Sequence, residues 1–74
     1  NPSTAISLEI PKRSYVTLII YNEKGAAVST LLSGMTEAGS YKIKWNADEM
    51  SSGVYFYRMI SDNFIETKKM ILLR

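Results

Sequence analysis

The chain has 74 residues, of which 46% are hydrophobic, and its nine basic and seven acidic residues give a net charge of +2. A chain of this length forms one domain with a thin core, and it has no apolar run near the roughly 18 residues that a membrane span requires. The small net charge argues against nucleic-acid binding, which uses a concentrated basic face. Because the sequence contains no cysteine, disulfides and thiolate metal sites are excluded.

Three β-strands are predicted in the first half of the chain. Residues 1–3 have the composition of the end of a linker, and the start without Met predicts a part of a longer protein. Apolar and polar residues alternate over residues 6–10, as in a half-buried strand. Residues 15–22 are apolar on both faces, which is typical of a central strand. A tight turn with Gly25 at positive φ then leads into a third strand over residues 26–32, which pairs back on the second.

The fourth strand carries the best core anchor. Residues 33–39 form a polar loop that ends on Gly39, and residues 40–46 then alternate between apolar and polar side chains. Trp45 lies on the apolar face of this strand together with Tyr41. We therefore expect the indole of Trp45 to be buried against the opposite layer of the domain.

The last third of the chain predicts a hairpin. Residues 47–52 form a loop with room for one helical turn, and Gly53 permits a close bend into an aromatic strand over residues 53–61. A short turn at residues 62–63 leads into a final strand over residues 66–74. Six short strands with turn signals about every ten residues, and no helical period, predict an all-β fold. It is a small antiparallel sandwich of the Ig-like or fibronectin-like type, with room for a seventh strand in a loop.

The sequence offers little chemistry for catalysis. It contains no His and no Cys, so imidazole bases and activated thiols are missing. The acidic residues are scattered over predicted strands and turns. Glu9 and Glu66 could meet if the edge strands that carry them were paired, but a solvated surface position is the more frequent location for Glu. The sequence therefore predicts a domain that is not an enzyme and needs no cofactor.

One loop offers oxygen atoms that could bind a cation. Asn46, Asp48 and Glu49 lie close together in the sequence at a bend, and Ca²⁺ prefers several carboxylates and carbonyls. Their spacing matches no established calcium loop. Turn residues of these types commonly bond their own backbone, and this interpretation is preferred.

The aromatic side chains allow a second binding hypothesis. A sugar could stack on a platform of tyrosines and the tryptophan, as in carbohydrate-binding sandwiches, although such side chains more often line a core or its margin. The alternation that places Tyr41 beside Trp45 favours the core. The aromatic residues concerned are Tyr15, Tyr21, Tyr41, Tyr55, Tyr57 and Trp45.

The final strand combines basic and apolar residues. Lys68 and Lys69, with Met70 and Arg74, could form a recognition surface for a partner. The lysines could equally protect an edge strand from pairing with other chains, a common use of edge lysines, and residue physics alone favours this second interpretation.

The ordered set of motifs resembles the type A C-terminal sorting domain of the type IX (Por) secretion system over essentially the whole chain. The basic strand at the end of the chain is the most specific part of the resemblance. The motifs are Asn1-Pro2-Ser3-Thr4-x-Ile6, Val16-Thr17-Leu18-x-Ile20-Tyr21-Asn22-x-x-Gly25-x-x-Val28-x-x-Leu31, Ala38-Gly39-x-Tyr41-x-x-x-Trp45, Ser52-Gly53-Val54-Tyr55-Phe56-Tyr57-Arg58 and Thr67-Lys68-Lys69-Met70.

A similar pattern occurs in the Ig-like domain of flagellar hook-capping proteins. The final basic-apolar strand separates the two groups, because the sorting family continues to such a strand at its terminus. The chain departs from the family in carrying Asn22 where Asp is usual and Arg74 where Lys is common. Both replacements keep the chemistry, since Asn also suits the turn and Arg also supplies a cation.

The resemblance implies a single sorting domain over residues 1–74, and we expect Gly25, Gly39, Trp45, Gly53 and Tyr55 to be its structural motif residues. It implies export through the periplasm to the cell surface or the exterior. The implied partners are the outer-membrane translocation machinery, a cargo domain upstream in the same chain and a surface peptidase. Recognition by pairing of the last strand is physically plausible, with Lys68, Lys69, Met70 and Arg74 as the residues that are read. The alternative is a spacer or carbohydrate-binding accessory sandwich of a secreted hydrolase.

Overall fold

The computed structural model describes residues 3–62 and 64–73. Most of the predicted linker, one residue of the final turn and the predicted recognition residue Arg74 therefore lie outside the described residues. The described part of the chain contains no helix, and so no helix that could cross a membrane. Its six strands are β1 (Ser3–Ile10), β2 (Ser14–Asn22), β3 (Ala27–Thr36), β4 (Gly39–Asn46), β5 (Gly53–Ser61) and β6 (Phe64–Leu72).

The strands form two antiparallel sheets. One sheet pairs β1 with β4, and the other has the order β3-β2-β5-β6. A single cluster of buried side chains joins the two sheets, so the fold is a two-layer sandwich in which two strands cover four. The predicted all-β antiparallel fold is confirmed, as are the interior position of β2 and the hairpin of β5 and β6. The described residues contain no seventh strand.

The core lies between the alternating inner faces of the two sheets. Val16, Leu18 and Ile20 of β2 are completely buried, and the apolar residues of β1 join the same cluster. Trp45, the predicted anchor, is also buried, and its ring meets that of Tyr55 edge-on at 5.2 Å between centroids. Burying a large apolar side chain stabilises a fold by about 1.5–3 kcal/mol, so these residues dominate the stability of a domain this small.

β3 is longer than the sequence predicts, because it continues through Thr36 rather than ending at residue 32. Two register shifts against β2 leave Leu31 and Val28 without partners, and both side chains pack against the core. Bulges of this kind break the period of two on which strand prediction depends. Ser33 and Gly34, which have the composition of a loop, instead continue the edge strand.

The loop between β4 and β5 holds one hydrogen-bonded turn and no helix. The backbone N–H of Met50 donates to the carbonyl of Ala47 at 3.0 Å. The hydroxyl of Tyr55 donates to the carbonyl of Ser51 at 2.7 Å, which ties the loop to the start of β5. Tyr55 therefore joins the core through its ring and the loop through its hydroxyl.

The turn between β2 and β3 is organised by the side chain of Asn22. Its Oδ1 accepts the backbone N–H groups of Lys24 at 2.9 Å and Ala26 at 3.0 Å, while its own carbonyl accepts the N–H of Gly25 at 3.0 Å. Gly25 has a φ of 86°, in the left-handed region that only glycine adopts readily. The prediction of a tight turn with Gly25 at positive φ is confirmed.

Replacing Asn22 tests whether this turn needs an amide or only an oxygen acceptor. Asn22→Ala removes the acceptor of two backbone N–H groups and is expected to cost roughly 1–2 kcal/mol. Asn22→Asp keeps the acceptor and is expected to stay within about 0.5 kcal/mol of the original chain. Chemical denaturation measures both changes, and equal losses in the two variants would contradict this account of the turn.

Gly25 and Gly34 form a matched pair for testing backbone conformation. A Cβ at either position meets no atom within 4 Å, but only Gly25 has positive φ. Gly25→Ala is expected to lose about 1–2 kcal/mol, because an L residue is strained in the left-handed region. Gly34→Ala is expected to be neutral or slightly stabilising. Thermal unfolding should separate the variants, since 1 kcal/mol shifts the Tm of such a domain by roughly 4–8 °C.

Candidate functional site

The predicted recognition strand, β6, lies at one edge of the four-stranded sheet. It pairs with β5 in an uninterrupted register that runs from Ser61 opposite Phe64 to Gly53 opposite Leu72. No strand within residues 3–62 or 64–73 pairs with the other side of β6. An edge of this kind presents backbone N–H and C=O groups that another chain can use for strand pairing.

The two neighbouring lysines of β6 point to opposite faces of the sheet. Lys68 lies opposite Tyr57, whose ring packs against the core, and Lys69 lies opposite Phe56 on the other face. Successive side chains of a strand alternate in this way, so one flat surface cannot contact both lysines. Lys68 instead approaches the carboxylate of Glu66, with 3.5 Å between Nζ and Oε2.

The ion pair of Lys68 and Glu66 is exposed to solvent, with 57% and 43% of the two side chains accessible. Exposed pairs of this type contribute about 0–1 kcal/mol to stability. Lys69 forms no ion pair within the described residues, and it is exposed. Met70 is half-buried and packs against the core, so its position suits an anchor of the strand.

The predicted motif residues occupy structural positions. Trp45 and Tyr55 are buried in the core. Gly25, Gly39 and Gly53 have positive φ and lie in a turn or at the first residue of a strand. The two aromatic rings lie in the core and the three glycines have no side chain, so none of the five residues presents a side chain at the exposed edge of β6.

The acidic residues do not form the pair that the sequence allowed. Glu9 lies in the two-stranded sheet and accepts a hydrogen bond from Ser40, whereas Glu66 lies in the four-stranded sheet. The hypothesis that their edge strands pair is therefore wrong, because β1 pairs with β4. The described residues contain no group of three or more His, Cys, Asp or Glu that could hold a metal ion.

The loop that carries Asn46, Asp48 and Glu49 bonds its own backbone, as the preferred interpretation of the sequence predicts. The Oδ1 of Asn46 accepts the N–H of Asp48 at 3.2 Å, which is the local turn interaction that the sequence favours. This carboxamide oxygen is thus already used in organising the chain between β4 and β5.

The aromatic residues do not form one platform. The rings of Trp45 and Tyr55 are buried in the core, where a sugar cannot stack on them. The hydroxyl of Tyr41 donates to the carbonyl of Glu37, and its half-buried ring packs against the core. Tyr15 and Tyr21 lie on the opposite, outer face of the four-stranded sheet. Trp45, the central residue of the carbohydrate-binding hypothesis, is therefore not accessible to a sugar.

Sequence reasoning missed a second exposed surface, which we call the outer face. It is the side of the four-stranded sheet that points away from the core, and the described residues place no other strand over it. The signal was present in the sequence, because β2 and β6 carry apolar residues on both alternating faces. The outer face comprises Tyr15, Thr17, Ile19 and Tyr21 of β2, Val54, Phe56, Arg58 and Ile60 of β5, and Ile65, Thr67, Lys69 and Ile71 of β6, with Ser33 and Met35 of β3.

Comparison with known proteins gives one match. The family model of the secretion system C-terminal sorting domain matches residues 1–73, which is nearly the whole chain. No curated protein and no solved structure matches the chain.

Proposed function

The chain belongs to the C-terminal sorting domain family of the type IX secretion system, and we propose from this that it directs an attached cargo protein through the outer membrane to the cell surface or the exterior. Domains of this family are sorting signals and not enzymes. The observation that carries the proposal is the match of the family model to residues 1–73. In this proposal the cargo domain precedes the sorting domain in the same protein. The sorting domain passes through the periplasm before it binds the translocation machinery.

Recognition in this proposal begins at the exposed edge of β6. Backbone groups along an edge strand pair with a strand of the receptor, and the side chains beside them test the identity of the domain. The hairpin with β5 supports this mode because it holds β6 in a continuous register. Burial of Leu72 fixes the far end of the strand, so the edge is offered in one defined alignment.

A reporter fusion tests the proposed function. The chain is fused to the carboxyl end of a periplasmic reporter in a bacterium that has the type IX system. We expect the reporter at the cell surface or in the medium, and we expect the reporter without the domain to stay in the periplasm. Retention of the intact fusion in the periplasm, with the domain folded and the system active on its own cargo, would overturn the proposal.

A charge reversal at each lysine of β6 tests which one contributes to recognition. Lys69→Glu is expected to lower the exported fraction on the order of tenfold, the factor that corresponds to about 1.4 kcal/mol of binding free energy. Lys68→Glu is expected to have a smaller effect, because Lys68 already faces Glu66 on the other side of the strand. Cell fractionation measures both. Equal losses, or a larger loss with Lys68→Glu, would contradict a recognition role for the outward lysine.

A further inference from the structure

Several large apolar side chains of the outer face are exposed to solvent. The side chains of Ile65 and Ile71 are each 66% exposed, and those of Tyr15 and Met35 are more than half exposed. Ile19, Phe56 and Ile60 lie between them and are only partly covered by their neighbours. Contiguous apolar patches on a soluble domain mark sites of interaction with another macromolecule.

The charged side chains on the outer face all have the same sign. Arg58 and Lys69 lie on it, whereas the only acidic residue in the four described strands of this sheet, Glu66, points to the other side. Arg58 lies opposite Thr67, and Lys69 lies opposite Phe56. The two cations are therefore diagonal neighbours on paired strands, at about 7–8 Å, a separation that long side chains span.

Arg58 is held in place by contacts to the strands on both sides. Its Nε donates to Oγ1 of Thr67 on β6 at 3.3 Å, and its guanidinium carbon lies 5.2 Å from the ring centroid of Tyr21 on β2. These contacts fix the planar group above the sheet. Among the hydrogen bonds of the described residues, only Nε of Arg58 is engaged, so its two terminal nitrogens remain able to bind a carboxylate in the bidentate manner typical of arginine.

We propose that the outer face is a docking surface for a protein of the export machinery whose contact surface is apolar and carries carboxylates that pair with Arg58 and Lys69. The inference rests on the proposed function and extends the recognised surface from the edge of β6 across β5 to β2. Charge complementarity identifies the occupant, because an apolar surface with acids satisfies both the exposed isoleucines and the two cations.

The same charges argue against the other occupants. A second copy of the chain, docked through the same face, offers Arg58 and Lys69 no carboxylate, because the described strands place no acidic side chain on the outer face, and two cations buried without a partner are destabilising. A neutral sugar has no anionic group that could pair with Arg58 and Lys69. Binding to an anionic membrane is stabilised by only about 1 kcal/mol for each basic residue near its surface, and the outer face has two such residues.

Export of reporter fusions tests the surface with matched controls. Arg58→Glu on the outer face is expected to lower the exported fraction on the order of tenfold, while Arg58→Lys, which keeps the charge but not the bidentate geometry, is expected to lose clearly less. Ile71→Ser tests the apolar part and is expected to lower export as well. Lys42→Glu and Lys44→Glu change exposed lysines of β4, in the other sheet, and are expected to export as the unchanged domain does.

Thermal unfolding of each variant is the control for folding, and we expect all of them to remain folded because the changed side chains are exposed. Equal export by the outer-face variants and the β4 controls overturns the inference. In that result the proposed function stands, because the unchanged domain still exports its reporter. Failure of the unchanged domain to export overturns the proposed function itself, so the two failures are distinguishable.

A binding experiment tests the chemistry of the occupant directly. The ¹⁵N-labelled chain is titrated with a synthetic peptide that alternates Leu and Glu, with its counterpart that alternates Leu and Lys, and with vesicles of phosphatidylcholine and phosphatidylglycerol. We expect the acidic peptide to shift the resonances of β5 and β6 and to bind about tenfold more tightly than the basic peptide. Arg58→Glu is expected to abolish this preference.

Three results of the titration overturn the inference. Equal binding of the two peptides indicates nonspecific adsorption to an apolar face. Binding to the anionic vesicles without a preference for the acidic peptide assigns the face to a lipid surface. Self-association of the chain through the outer face, seen as a concentration-dependent sedimentation coefficient, assigns it to a second copy.

Discussion

The burial of Leu72 determines what the C-terminal strand can present. Leu72 lies in the core opposite Gly53, and because side chains alternate along a strand, this single position sets the direction of every other side chain in β6. A slip of one residue would turn Leu72 and Met70 away from the core, and the loss of their burial is costly. The register of the recognition strand is therefore enforced by the core of the domain.

The unequal size of the two sheets explains the unusual environment of Lys68 and Glu66. Both residues lie on the core side of β6, yet their side chains remain largely exposed because two strands cannot cover all of a four-stranded sheet. The pair therefore avoids the desolvation cost of a buried ion pair and contributes little to stability. The uncovered end of β6 tolerates charge on both of its faces, while the end that contains Leu72 does not.

The six strands and the two hairpins, β2 with β3 and β5 with β6, could be predicted from the sequence, but several of the strand ends could not. β5 has the bounds predicted from its leading glycine and its aromatic run. β6 begins at Phe64, two residues before the predicted start, and β3 continues to Thr36 because Ser33 and Gly34, although typical of a loop in composition, pair with β2. The opposite directions of Lys68 and Lys69 follow from alternation alone. The exposure of the outer face does not, because a strand that is apolar on both faces is equally compatible with a third covering layer.

Edge pairing and face recognition contribute different properties to a sorting signal. Backbone pairing along an edge is nearly independent of sequence, so an edge alone attracts any chain that forms strands. Selectivity needs side chains in fixed positions, and on β5 the inner face is occupied by the core, where Tyr55 and Met59 are buried. Side chains alternate along β5, so its aromatic run faces two ways. Tyr55 is buried in the core, while Phe56 and Arg58 lie on the opposite face. β5 thus supports the fold with one face and supplies the guanidinium of the proposed docking surface with the other.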